Sequence, residues 1–97
     1  MGCTMRPEDI DLEFSPEAKV LPRERHEWSH IIAGALADET GSATAVFRKA
    51  GEEWALDAFL WFQPGTWFLK AASREEAEPL RARVVAALRA AGKNVRV

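Results

Sequence analysis

A single cysteine, Cys3, leaves this 97-residue chain without the means for an internal disulfide. One cysteine and two histidines also cannot supply an all-Cys/His four-ligand structural zinc site. Stability has to come from a packed core. Long apolar runs are missing too: no stretch approaches the roughly 18–20 apolar residues of a membrane span, so no transmembrane helix is expected. Met1-Gly2-Cys3-Thr4-Met5-Arg6 runs directly into Pro7, Glu8, Asp9 and Asp11 without the apolar core of a secretory signal, and the expectation is a cytoplasmic protein. No excess of positive charge is present either. Thirteen Lys and Arg stand against fifteen Asp and Glu, a net charge of −2 that gives no overall attraction to nucleic acid or anionic lipid. Only the end is basic, with Arg81, Arg83, Arg89, Lys93 and Arg96 and no acid after Glu78. The widely spaced glycines form no phosphate-binding loop, the serines form no nucleophile elbow, and Cys3 has no histidine beside it.

What remains, 47% hydrophobic and 29% charged residues, is the composition of one globular domain spanning 1–97, with residues 1–6 loosely ordered. Ile10, Leu12 and Phe14 alternate with Asp11 and Glu13 as in a short half-buried strand or extended arm. Ser15-Pro16-Glu17 can open one helical turn. Pro22 then starts a helix to about Glu39, stopped by Thr40-Gly41, whose Trp28, Ile31, Ile32, Ala35 and Leu36 recur at helical spacing. Strands follow at Ala43–Lys49 and Glu53–Phe62. In the second, strict alternation puts Trp54, Leu56, Ala58, Leu60 and Phe62 on one face. Pro64-Gly65 fits the centre of a two-residue turn into a third strand, Trp67–Ala71. Ser73 and Glu76 have the spacing of a capping box. They open a helix with a stripe of Leu80, Val84, Ala87, Leu88 and Ala91, ended by Gly92, in which Pro79 predicts a kink or restart. A last strand over Lys93–Val97 would turn Val95 and Val97 inward. The fold class expected is α+β: a three-stranded antiparallel meander, rising to four or five strands with terminal strands, and two helices on one face.

The order helix, three strands, helix resembles that of double-stranded-RNA-binding domains. In that family a lysine cluster at the start of the second helix contacts phosphate. The corresponding stretch here, Ser73-Arg74-Glu75-Glu76-Ala77-Glu78, has carboxylates in those places, so the resemblance carries over no RNA-binding residue beyond Arg74.

Two constellations bear on function. His26-Glu27-Trp28-Ser29-His30 matches the H-E-x-x-H pattern, in which two histidines one turn apart ligate zinc and the glutamate acts as general base on metal-bound water. On a helical wheel both histidines fall opposite the apolar stripe. Against a zinc protease stand the charged Glu24 and Arg25 just before the motif, and Leu36 at the position of the third histidine in the extended form. A third ligand would have to come from elsewhere, with Glu75, Glu76 or Glu78 at the start of the last helix the best candidates. The alternative reading is a solvent-facing histidine pair with no metal.

The second constellation follows from strand parity. If Trp54 to Phe62 face the core at even positions, Phe59 and Trp61 face outward, and a two-residue turn sets Trp61 opposite Phe68 and Phe59 opposite Lys70. Three rings on an outer face require a cover. That cover is the N-terminal segment with Ile10, Leu12, Phe14, Val20 and Leu21, or a protein partner or second copy, or stacked single-stranded nucleic acid. The functional expectation is a small non-enzymatic protein-interaction module, an adaptor, inhibitor or assembly subunit, binding a partner or itself through Phe59, Trp61, Phe68 and Lys70 without a cofactor. The alternative is a minimal zinc metallohydrolase with His26 and His30 as ligands and Glu27 as base. Single-stranded nucleic-acid binding ranks third.

Overall fold

The computed structural model describes residues 5–64, 67 and 69–96. Chain order is strand β1 (Ile10–Phe14), helix α1 (Pro22–Ala35), strands β2 (Ser42–Ala50), β3 (Glu53–Pro64) and β4 (Leu69–Ala71), helix α2 (Arg74–Ala90) and strand β5 (Val95–Arg96), with 3-10 turns at Pro7–Asp9 and Pro16–Ala18. The α+β class, the β2-β3-β4 antiparallel meander and the two helices on one face are as the sequence predicts. The terminal strands make the sheet mixed, because β1 joins β2 in parallel and β5 joins β3 in parallel. Each parallel pair is linked through a helix, as parallel strands require.

One face of the sheet makes the core. Ile10 and Leu12 of β1, Ala43, Ala45 and Phe47 of β2 and Leu56 of β3 are buried against Trp28, Ile32 and Leu36 from the α1 region and Leu80, Val84 and Leu88 of α2. Phe14, Trp28, Phe47 and Trp54 form an edge-to-face and stacked aromatic cluster with centroids 5.0–5.8 Å apart. The N-terminal segment therefore does not fold over the outer face; it adds β1 to the edge of β2 and sends Ile10, Leu12 and Phe14 to the helix side, while Leu21 is exposed.

Helix ends follow local chemistry. Pro22 occupies the first turn of α1, and Arg83 of α2 finishes that helix from outside: it donates to the Ala35 carbonyl at 2.6 Å and to Glu39 at 3.3 Å, and pairs with Asp38. This guanidinium holds the Asp38 carboxyl below its ordinary pKa, and the pairing raises that of Arg83. The capping box of α2 is formed in both directions, Glu76 N–H to Ser73 Oγ at 3.2 Å and Ser73 N–H to Glu76 Oε1 at 3.1 Å. These bonds to Ser73, the backbone one foremost, hold Glu76 below its ordinary pKa. Pro79 neither ends nor restarts the helix, which runs unbroken across it.

One irregularity rearranges β3. Phe47 pairs with Leu56 but Val46 pairs with Ala58, so Asp57 is an extra residue, a β-bulge. A bulge inverts the parity of everything after it. Trp54 and Leu56 face the helices, and so do Phe59 and Trp61, which sit opposite Ala45 and Ala43. Ala58, Leu60 and Phe62 turn outward. The expectation of Trp54 to Phe62 on one core face is thus corrected beyond Leu56.

Among the described residues no helix is long and apolar enough to cross a membrane.

Candidate functional site: the interrupted edge of β3

The edge of β3 not taken by β2 is occupied twice and left open between. At one end β5 pairs with Trp54 and Ala55; at the other β4 pairs with Phe62, Gln63 and Pro64. Two backbone carbonyls at the margins of the gap are satisfied from α2 and its approach: Leu56 accepts from Arg81 at 2.6 Å, and Trp61 accepts from the Ala72 amide at 2.8 Å. Since amide and carbonyl of one strand residue point to the same edge and alternate along the chain, the edge that receives the Trp61 carbonyl also receives both polar groups of Phe59. No described strand pairs there.

Over this gap lies a cleft of about 370 Å³, within the range of ligand pockets, roughly 300–1,000 Å³. Its β3 wall is Asp57, Ala58, Phe59, Leu60 and Trp61; its α2 wall is Arg74, Ala77, Glu78 and Arg81, closed by Ala72. The helix wall follows from spacing, since positions 74, 77, 78 and 81 fall on one face of α2. Ala77 is the small residue that leaves room there. Phe59 and Trp61 are half-buried, packed against the core on one side and open to the cleft on the other. Trp61 is fixed by its indole N–H, which donates to the Thr40 carbonyl at 2.9 Å. The Asp57 carboxylate stands 3.7 Å from Arg48 Nε.

Of the residues singled out from sequence, Phe59 and Trp61 come together, but on the helix side rather than on an outer patch. Lys70 stands across from Gln63, not Phe59, because the last β3–β4 pair is Pro64 with Leu69 and the connection is longer than a two-residue turn. After the hydrogen bonds from Ser73, its charge adds the smallest part to the lowering of the Glu76 pKa. Phe68, like Cys3 and Val97, lies outside the described residues. Among the described residues, the large apolar side chains of β2 and β3 on the outer face are Leu60, 49% exposed, with Val46 and Phe62 half-buried beside it. Arg74, Glu78 and Arg81 escaped the sequence reading as cleft residues; their common helical face was the signal.

His26 and His30 are exposed on α1, with Nε2 atoms 2.9 Å apart. Glu27 does not join them: its carboxylate accepts from Lys93 Nζ at 2.7 Å. Among the described residues no group of three or more His, Cys, Asp and Glu side chains is placed to hold a metal. Comparison with protein-family models, with curated proteins and with solved structures finds no match to this chain.

Proposed function

We propose that this protein is a small non-enzymatic interaction module that takes up a short extended segment of a partner protein along the open edge of β3. The observation that carries the proposal is the interruption of pairing between β4 and β5 directly beneath a cleft with an aromatic floor. An unpaired strand edge is a template for another strand, and added strands gain affinity from main-chain hydrogen bonds and specificity from pockets for alternate side chains. Phe59 supplies the backbone groups and, with Trp61 and Ala77, the apolar contact. Arg74 and Glu78 at the cleft rim read the flanking residues of the segment.

The test is selection of peptides from a random library on the intact protein, followed by titration of the best binder with hydrogen exchange. The expected result is protection of the Phe59 amide on binding, and at least about tenfold weaker binding by Phe59→Ala, equivalent to about 1.4 kcal/mol. Binding that leaves the Phe59 amide unprotected and is unchanged in Phe59→Ala overturns the proposal.

A second reading, association of two copies or of a partner through the outer face, is favoured by the exposure of Leu60 beside Val46 and Phe62. Val46→Lys, on the outer face but outside the cleft lining, separates the two: it abolishes outer-face association and spares edge binding. Nucleic-acid stacking loses support from the geometry, since Phe59 and Trp61 do not present a platform on the outer face.

A further inference from the structure

The peptide-binding reading leaves one group of side chains unused. His26 and His30 lie one turn apart on the solvent side of α1, opposite the buried Trp28 and Ile32. Their rings meet at 67° with centroids 4.3 Å apart, and the two Nε2 atoms converge to 2.9 Å. At that separation one Nε2 carries a proton and the other offers its lone pair to it. A metal ion can replace the shared proton once the protonated ring shifts its hydrogen to Nδ1, giving two neutral imidazole ligands aimed at one point.

Two nitrogens about 2.0 Å from one ion stand about 2.8 Å apart when they subtend 90°, and about 3.3 Å apart at the tetrahedral angle. The observed 2.9 Å is the length of a hydrogen bond between the rings, so only a small ring movement brings both nitrogens to one ion. Glu27 is turned away to Lys93, and Ser29 donates to the Arg25 carbonyl at 3.1 Å, so neither competes for the position. We infer that His26 and His30 form a two-imidazole chelate for a single borderline divalent cation of the Cu(II) or Ni(II) kind, its other positions filled by water. This is not the three-ligand zinc site of a hydrolase, and Glu27 has no part in it.

The probe is Cu(II), titrated into the intact protein in a non-coordinating buffer and followed by calorimetry and electron paramagnetic resonance. One ion per chain is expected, with a spectrum showing two coordinated nitrogens. His26→Ala and His30→Ala should each bind at least about tenfold more weakly, because each removes a partner held at an effective concentration of millimolar or more. Glu27→Gln should bind as the wild type does. The histidines are exposed and alanine favours the helix, so these variants keep the fold. Copper bound undiminished by the His26→Ala/His30→Ala double variant, wild-type binding no tighter than that of the double variant, or weakened binding in Glu27→Gln would each overturn the inference.

Discussion

Before the bulge, β3 has neighbours on both edges, and Trp54 is enclosed by Phe14 and Trp28, with Lys49 Nζ 4.8 Å from its ring centroid. After the bulge, the same strand has β2 on one side and an open stretch on the other, and Phe59 and Trp61 pack on one side only. Both halves carry large apolar residues at alternate positions, and both meet a helix layer. The difference lies in what fills the second edge. Where β5 and the aromatic cluster close it, the strand contributes stability; where neither reaches, the same residue types line a cleft. Apolar content alone does not separate core from site here; completeness of pairing does.

The largest expected contrast is in stability. Trp28→Ala, which empties the centre of the aromatic cluster, should cost about 4 kcal/mol in denaturant unfolding. Phe59→Ala, from a side chain already open to the cleft, should cost about half that or less. Equal losses would erase the distinction between the two halves. Next is Gly41, whose φ of +99° belongs to the glycine region and whose added Cβ would stand 2.0 Å from the Phe62 carbonyl oxygen. Gly41→Ala should lower stability by about 2 kcal/mol or more, because neither backbone can yield without disturbing the open half of the sheet.

Deletion of Asp57 is a direct check on the parity. It would leave Leu56, Phe59 and Trp61 on the helix side in an unbroken ladder, so the domain should stay folded with its unfolding midpoint displaced by about 1 kcal/mol or less. If Ala58, Leu60 and Phe62 were core residues, the deletion would turn them out and unfold the protein.

The smallest effect is acid sensitivity. Asp38 and Glu76 both have folded-state pKa values below the ordinary ones, so their contribution is present above the carboxylate range and is lost as pH falls through the depressed values, below about pH 4. Unfolding midpoints should therefore respond little to these groups between pH 7 and 5 and fall below pH 4, with a shallower fall in Ser73→Ala, which removes the hydrogen bonds holding Glu76.

Most elements were legible because their periods are unambiguous: Trp28, Ile32 and Leu36 for α1, Leu80, Val84 and Leu88 for α2, Ile10 and Leu12 for β1. The pairing of the terminal strands was not. An alternating pentapeptide announces a strand but not its neighbour, and nothing in Ile10–Phe14 distinguishes an arm across the outer face from a parallel strand beside β2. The bulge left one trace, Asp57, the only charge between Trp54 and Leu69. The histidine pair was placed on the correct side of its helix by the wheel alone. The turning away of Glu27 was not legible, since Lys93 lies 66 residues further along the chain.

Asp57 also bears on descent. A chain that lost this one residue would read Trp-x-Leu-x-Phe-x-Trp through β3, a regular strand with Trp54, Leu56, Phe59 and Trp61 facing the helices and Leu60 and Phe62 outward. A one-codon change is thus enough to pass between a plainly patterned strand and one whose pattern misleads, while the buried partners stay the same. In an alignment of kin, a gap at position 57 would leave the register with β2 intact, and the phase of the apolar residues, rather than their identities, would record whether an ancestor carried the bulge.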